Sequence, residues 1–151
     1  MKHSLSLYDW STEDIDKLLK LAIKLKAENK AGIQHHLLKG KSLGMIFAKS
    51  STRTRVSFEV GMYELGGNVL GFSEAQSSSA AKGESVADTA KTVSCYADII
   101  AMRHPKEGAP LVASLNALIP VINAGDGGHN HPTQTLADLL TIHREKGRFN
   151  N

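Results

Sequence analysis

Short apolar runs alternate with helical patterns along this chain, and that alternation restricts the fold more than any other feature of the sequence. Four apolar runs predict buried strands at about 42–47, 68–72, 98–102 and 120–123. Patterns with helical spacing follow the runs and predict helices at about 54–65, 85–96, 110–118 and from Pro132 onward. Strands that are apolar throughout and alternate with helices are typical of parallel sheets. We therefore predict an α/β fold: a four-stranded parallel sheet with helices on both faces, three-layered and doubly wound.

A further helix is predicted ahead of the first strand. Ser11 suits an N-cap, since an acidic residue, Asp14, stands three positions later. Apolar residues then recur at helical spacing, namely Ile15, Leu18, Leu19, Ala22 and Leu25. We expect this helix to bury that stripe and to end near Gly32.

Polar residues are concentrated where the predicted strands end. The polar clusters span 49–54, 73–82, 103–104 and 123–134. The carboxyl ends of parallel strands meet at one edge of a sheet, and ligands of open α/β sheets bind outside that edge. We therefore expect the four clusters to form one ligand site.

The cluster after the first strand has the chemistry of an oxyanion site. The sequence FAKSSTRTR, residues 47–55, places hydroxyl groups and a guanidinium at a strand-to-helix turn. Helix N-termini attract anions, and arginine can bind two oxygens at once. Ser51, Thr52, Arg53 and Thr54 are therefore candidate phosphate ligands. From this segment alone, a capped helix with solvated arginines is the alternative.

Two later clusters contribute further candidates. Arg103 ends a buried strand, where a charge is costly unless it is paired. Its partner is either a ligand or a nearby acid, Glu107 or Asp126. In the sequence HNHPTQ, His131 and Gln134 flank a predicted helix start, and one can donate to a carbonyl group while the other accepts from an amide.

Composition and absent motifs exclude several function classes. The formal charge is only +3 and aromatic residues make up 5% of the chain, without the clustered basic and stacking residues of nucleic-acid binders. The single cysteine, Cys95, fits a reducing compartment, and no segment approaches membrane-spanning length, so we expect a cytoplasmic protein. The H-x-H pair of His129 and His131 has no further ligand at suitable spacing, so we predict no metal. Nucleotide-binding motifs and a serine nucleophile elbow are absent.

Four motifs, in this order, resemble the aspartate/ornithine carbamoyltransferase family: SSTRTRVSFE, SSSAAKGESVADT, MRHPKEG and NAGDGGHNHPTQTLADLLTI. The resemblance covers nearly the whole chain and is closest to the carbamoyl-phosphate-binding half of the aspartate enzymes. It implies that Ser51, Thr52, Arg53 and Thr54 surround the phosphate. It also implies that Thr54, Arg103 and His131 hydrogen-bond the carbonyl oxygen, and that Gln134 holds the carbamoyl amide.

The resemblance implies an assembly as well. Ser78 and Lys82 would reach into the active site of a neighbouring subunit, which implies a homotrimer with shared active sites. Parts of the first and last motifs are similar to the ornithine enzymes, but a lysine at the acceptor pocket suits a dicarboxylate. We therefore expect carbamoyl transfer from carbamoyl phosphate to L-aspartate in pyrimidine biosynthesis, giving N-carbamoyl-aspartate and phosphate without a cofactor.

The length of 151 residues fits a single domain. Members of the family carry a second α/β domain that binds the amino acid. We expect residues 1–151 to be the carbamoyl-phosphate-binding domain without that second domain, and the isolated chain to be nearly inactive. Two alternatives stay open: one half of an ornithine-type enzyme, or a trimeric anion-binding module without catalysis. The sequence leaves open whether a regulatory chain binds.

Overall fold

A computed structural model describes residues 2–72, 83–147 and 149 of the chain. Within them, a short 3-10 helix, Leu7–Asp9, is followed by α1 (Thr12–Lys30), β1 (Ser42–Phe47), α2 (Thr52–Glu64), β2 (Asn68–Phe72), α3 (Val86–Val93), β3 (Ile99–His104), α4 (Ala109–Asn116), β4 (Val121–Asp126) and α5 (Pro132–Lys146). The four strands are parallel and lie in the order β2-β1-β3-β4. The predicted α/β class and parallel sheet are confirmed.

Helices cover both faces of the sheet. Successive strand residues point to opposite faces, so neighbouring residues of β1 pack in different cores. Ile46 of β1 packs in a core with residues of α3 and α4, such as Val93 and Ala113. Its neighbour Met45 packs in a second core with Met62 of α2. This arrangement confirms the predicted three layers.

Strands β3 and β4 extend further than their apolar runs predicted. β3 ends at His104 instead of 102, and β4 ends at Asp126 instead of 123. The polar residues at these ends are strand residues, since Arg103 pairs in register with Phe47 and His104 pairs with Asp126. Hydrophobic pattern alone misses them because pairing with a neighbouring strand keeps the backbone extended. The two strands therefore run on to the edge of the sheet where the site is predicted.

Helix boundaries differ from the predictions where capping side chains decide them. Helix α2 begins at Thr52, two residues early, because the Ser51 hydroxyl accepts a hydrogen bond from the Thr54 N–H at 3.3 Å. Helix α3 ends at Val93, three residues early. The hydroxyl of the next residue, Ser94, donates to the Ala90 carbonyl at 2.7 Å and accepts from the Leu118 N–H at 3.1 Å.

Helix α1 begins as predicted and packs less deeply than predicted. Ser11 is its N-cap and accepts from the Asp14 N–H at 3.1 Å. It ends at Lys30, before Gly32, and of the five predicted apolar residues only Leu19 is fully buried. The other four are partly buried, because α1 lies at the periphery of the fold, where its main helix neighbour is α5.

Two glycines give a matched test of this packing. In β1, a methyl group on Gly44 would lie 2.4 Å from Val93 Cγ1 and 3.2 Å from Ala97 Cβ. Valine has little rotameric freedom, so Gly44→Ala is expected to lower the free energy of unfolding by about 1–3 kcal/mol. Gly61, inside α2, has open space around it, so Gly61→Ala is expected to raise stability by about 0.5–1 kcal/mol. Urea unfolding of both variants measures these changes, and equal effects would contradict the packing of α3 on β1.

Candidate active site

A cleft of about 680 Å³ opens at the carboxyl edge of the sheet. It lies between the start of α2, the end of β3 and the start of α5, and its lining residues are Ser51, Arg53, Thr54, Ser57, Phe58, Arg103, His131, Thr133, Gln134 and Ala137. The cleft thus brings together three of the four polar clusters, which are far apart in the sequence. Such a position is the one expected for a ligand of an open α/β sheet.

Most of the predicted site residues line this cleft. Thr52 is the exception among the described residues, since it is exposed at the first position of α2 and is not part of the lining. The two residues predicted to reach a neighbouring subunit, Ser78 and Lys82, lie outside the described residues. The cleft is also lined by four residues that were not predicted, namely Ser57, Phe58, Thr133 and Ala137. Ser57 was detectable, since it follows Arg53 by one helical turn.

Arg103 is at the centre of the hydrogen bonds in the cleft. Its Nη1 donates to Thr54 Oγ1 at 3.2 Å and to the Ala124 carbonyl at 3.1 Å, and it lies 3.0 Å from His131 Nε2. No acid pairs with it in the part of the chain that the structure describes. The alternative of a salt bridge to an acid is therefore wrong for the described residues. Arg103 keeps its positive charge available to an anion.

The start of α2 contributes a second positive group. Arg53 and Thr54 are the second and third residues of that helix, at the positive end of its dipole. Arg55 lies two residues further on and pairs with Glu59, with Nε 2.8 Å from Oε1. Arg53 has no such ion pair within residues 2–72, 83–147 and 149. Of these two arginines, Arg53 is the one that lines the cleft and has a charge without an ion pair among the described residues.

His131 is the N-cap of α5, and its ring faces hydrogen-bond donors on both sides. Its Nδ1 accepts from the Gln134 N–H at 3.3 Å, and its Nε2 faces the Arg103 guanidinium. Burial, and then the charge of Arg103, lower the pKa of His131. A neutral imidazole has only one nitrogen that can accept, so it cannot satisfy both donors. A carbonyl oxygen in the cleft would accept from Arg103 and from Nε2–H together, leaving Nδ1 to cap α5.

Among the described residues, the side-chain amide of Gln134 makes one hydrogen bond, through its nitrogen, and its oxygen is available to a ligand. Its Nε2 donates to Asp138 Oδ1 at 2.9 Å on the same helix. This contact orients the side-chain amide, so that the carbonyl oxygen is the atom left to accept from an amide in the cleft. This is the role that the resemblance implies for Gln134.

A smaller cavity of about 220 Å³ adjoins the cleft and shares Arg103 and His131 with it. Lys49 and the glycine-rich loop at 127–128 also line this cavity. Lys49 belongs to the first polar cluster but was not predicted as a site residue. Its ammonium group adds a third positive charge to this edge of the sheet.

The described residues contain neither a cluster of metal-ligating side chains nor a membrane-spanning helix. No three His, Cys, Asp or Glu side chains there are grouped closely enough to hold a metal ion. No helix in residues 2–72 or 83–147 has the length and apolar character needed to cross a membrane.

The lowered pKa of His131 predicts a specific pH dependence of stability. An ordinary histidine pKa is 6.5, and the folded value lies below it. The neutral ring therefore stabilises the fold fully above about pH 6.5, and this contribution is lost as the pH falls through the lowered pKa. His131→Asn keeps a capping oxygen for α5 but does not titrate. Urea unfolding at about pH 7.5 and about pH 5.5 should show a smaller loss of stability in this variant than in the wild type.

His104 has a pKa lowered mainly by burial and titrates in both chains, so its contribution cancels in that comparison. Equal losses of stability in the wild type and the His131→Asn variant would contradict the description of His131 as a neutral, enclosed ring.

Comparisons with known proteins point to one family. The family described as "Aspartate/ornithine carbamoyltransferase, carbamoyl-P binding domain" matches residues 2–144. The aspartate carbamoyltransferase catalytic subunit of Lachnoclostridium phytofermentans is 61% identical over 151 residues, which are 100% of this chain and 48% of that protein. The chain thus spans about half the length of the curated relatives it matches.

Solved structures are similar as well. Aspartate transcarbamoylase from Trypanosoma cruzi, in complex with carbamoyl aspartate and phosphate, superposes with a TM-score of 0.94 at 40% identity, covering 99% of this chain and 46% of that one. The catalytic subunit of M. jannaschii aspartate transcarbamoylase has a TM-score of 0.91 at 50% identity, covering 98% of this chain and 48% of that one.

Proposed function

The chain belongs to the aspartate/ornithine carbamoyltransferase family, and we propose that it is the carbamoyl-phosphate-binding domain of an aspartate carbamoyltransferase. The main support is the contact of Arg103 with both Thr54 and His131 at the edge of the cleft. Three side chains from β3, α2 and the start of α5 meet where a carbonyl oxygen can accept from all of them. Arg53 lies on the same cleft and supplies charge for a phosphate.

The proposed reaction transfers the carbamoyl group to the amine of L-aspartate. The nitrogen lone pair attacks the carbamoyl carbon, and a tetrahedral oxyanion forms. The C–O bond to phosphate then breaks, phosphate leaves with the bonding pair and takes the proton that the nitrogen loses, and the new C–N bond remains. Thr54, Arg103 and His131 stabilise the oxyanion, because donors fixed in advance are most effective where charge develops.

The remaining residues position the substrate. Ser51, Thr52, Arg53 and Thr54 bind the phosphate in this proposal, and the Gln134 carbonyl oxygen accepts from the carbamoyl amide. Holding both reactants in one orientation removes much of the entropic barrier. Phosphate is already a good leaving group, so the mechanism needs no metal or organic cofactor.

The proposal includes an assembly. Residues 1–151 form the carbamoyl-phosphate domain, and L-aspartate binds with the help of a second domain. Ser78 and Lys82 complete the site of a neighbouring subunit in a homotrimer, in the cytoplasm; a regulatory chain is compatible with this arrangement. The names of the relatives support aspartate over ornithine as the acceptor.

Transfer of labelled carbamoyl groups tests this function. The chain is mixed with carbamoyl phosphate and aspartate, with and without the acceptor domain of a relative joined to its C-terminus. We expect carbamoyl-aspartate from the joined protein and almost none from the 151-residue chain. Product with ornithine instead would indicate the other branch of the family. Binding without any product in the joined protein would indicate a non-catalytic module.

A further inference from the structure

Strand β4 contains a bulge next to the cleft. Met102 of β3 pairs with Asn123, and His104 pairs with Asp126, so two steps along β3 correspond to three along β4. The extra residue lies at Ala124–Gly125. Bulges of this kind redirect the strand and its side chains, and they are frequent beside functional sites.

A buried amide side chain holds one side of the bulge. Asn123 is 2% exposed, and its Oδ1 accepts from the Gly125 N–H at 2.8 Å. Its Nδ2 donates to Asp126 Oδ1 and to the Leu5 carbonyl, both at 3.1 Å. Both donor hydrogens and one acceptor site of the amide are used. These partners therefore fix its orientation.

A buried carboxylate holds the other side. Asp126 is 3% exposed; its Oδ1 accepts from the Asn130 N–H at 2.9 Å, and its Oδ2 accepts from the Gly108 N–H at 2.9 Å. His129 Nδ1 lies 3.2 Å from Oδ2. Burial alone would raise the pKa of Asp126, but these hydrogen bonds and that from Asn123 outweigh it and lower the pKa. The ionised carboxylate joins the loop after β3 to the loop after β4.

Gly125 lies between these two residues and leaves no room for a side chain beside Arg103 and His131. Its φ of +116° is a conformation that glycine adopts without strain. A Cβ there would lie 3.0 Å from Arg103 Nη1 and 3.1 Å from His131 Cδ2. The preceding residue, Ala124, supplies the carbonyl that accepts from Arg103. The shape of the bulge therefore sets the place of both Arg103 and His131.

We infer that Asn123 and Asp126 are positioning residues: they fix the bulge at Gly125 against which Arg103 and His131 lie, and thereby aim both at the carbonyl of the substrate. The effect of this positioning on catalysis rests on the proposed function. Neither Asn123 nor Asp126 lines the cleft or the smaller cavity, so both act through Arg103 and His131.

Asp126→Asn tests the inference. In the wild type both carboxylate oxygens accept from backbone N–H groups, those of Gly108 and Asn130. In the variant an NH₂ group, which cannot accept, takes the place of one of these oxygens. The matched control is Asp98→Asn. Asp98 also accepts a backbone hydrogen bond, from the Ser42 N–H at 2.8 Å, but at the opposite end of β3. Two probes are titrated into each 151-residue chain by calorimetry: inorganic phosphate, and a phosphonate analogue of carbamoyl phosphate with CH₂ in place of the bridging oxygen.

We expect the wild type and the Asp98→Asn variant to prefer the carbamoyl-bearing analogue over phosphate. In the Asp126→Asn variant the preference should fall by about tenfold, while phosphate affinity changes little because Arg53 is untouched. A merely structural defect would weaken both probes together and would overturn the inference. If Asp126→Asn does not fold, Asn123→Ala takes its place, since it leaves three of the four contacts of Asp126 intact.

A second measurement needs no ligand and separates this inference from the proposed function. The His131 ring titration is followed by NMR, with the signal assigned through His131→Asn. Loss of the Asp126 charge alone would lower the His131 pKa. Movement of the imidazole ring into solvent and away from Arg103 would raise the His131 pKa, and we expect a rise. A folded Asp126→Asn chain whose midpoint is unchanged or lower would overturn the inference. A wild type without preference for the analogue would instead count against the proposed function.

Discussion

Arg53→Ala is expected to remove measurable binding of carbamoyl phosphate and of phosphate by the chain. Hydrogen bonds to charged groups are worth about 1.5–3 kcal/mol each, and a guanidinium can make two with one phosphate. The loss should therefore be at least about 3 kcal/mol, more than a hundredfold in Kd. Since the side chain is exposed at the start of α2 and has no ion pair within the described residues, the fold should be unaffected.

Arg55→Ala is the matched control for this prediction. It removes an arginine from the same helix, but one that already pairs with Glu59. Phosphate affinity should remain close to that of the wild type, and stability should fall by no more than about 0.5 kcal/mol. Calorimetric titration of phosphate into both variants measures these affinities. Equal affinities for Arg53→Ala and the wild type would refute the assignment of Arg53 to the phosphate.

Arg103→Ala is expected to act mainly on turnover. In a protein joined to an acceptor domain, kcat should fall by about 10²–10³-fold, because Arg103 donates to the oxygen on which charge develops. The KM for carbamoyl phosphate should change less, since Arg53 still binds the phosphate. Arg103→Lys keeps the charge but replaces the planar guanidinium, whose Nη1 contacts Thr54, Ala124 and His131, by a single ammonium group with no second Nη for the substrate, so it should recover only part of the rate.

Steady-state kinetics of the three proteins test this prediction, with thermal unfolding as a check on the fold. The check is needed because Arg103 also donates to the Ala124 carbonyl. A stable Arg103→Ala protein with the wild-type kcat and a raised KM would mean that Arg103 serves ground-state binding only.

The strands were predicted best where an apolar run is directly bounded by polar or turn residues. The predicted bounds of β1 and β2, 42–47 and 68–72, are those observed. The ends of β3 and β4 were missed because Arg103, His104 and Asp126 are polar, and their extended backbone depends on pairing with neighbouring strands. Helix ends were missed where a single hydroxyl, such as that of Ser94, sets the boundary.

The candidate site was also predicted in part, where its position depends on topology and not on individual contacts. Parallel topology alone predicted that residues near 53, 103 and 131 share one edge, and they line one cleft. The partner of Arg103 was not decidable from the sequence, because Thr54 comes from 49 residues away. Asn123 and Asp126 were missed as positioning residues because their partners Leu5 and Gly108 come from other parts of the chain, 118 and 18 residues away.

The most direct test of the account is a crystal structure of the chain with the phosphonate analogue of carbamoyl phosphate. We predict difference density in the 680 Å³ cleft, with the phosphonate beside Arg53 at the start of α2. The carbonyl oxygen should lie within hydrogen-bond distance of Thr54, Arg103 and His131. Density for the analogue elsewhere on the chain, or in the cleft with its carbonyl turned away from Arg103, would contradict the account.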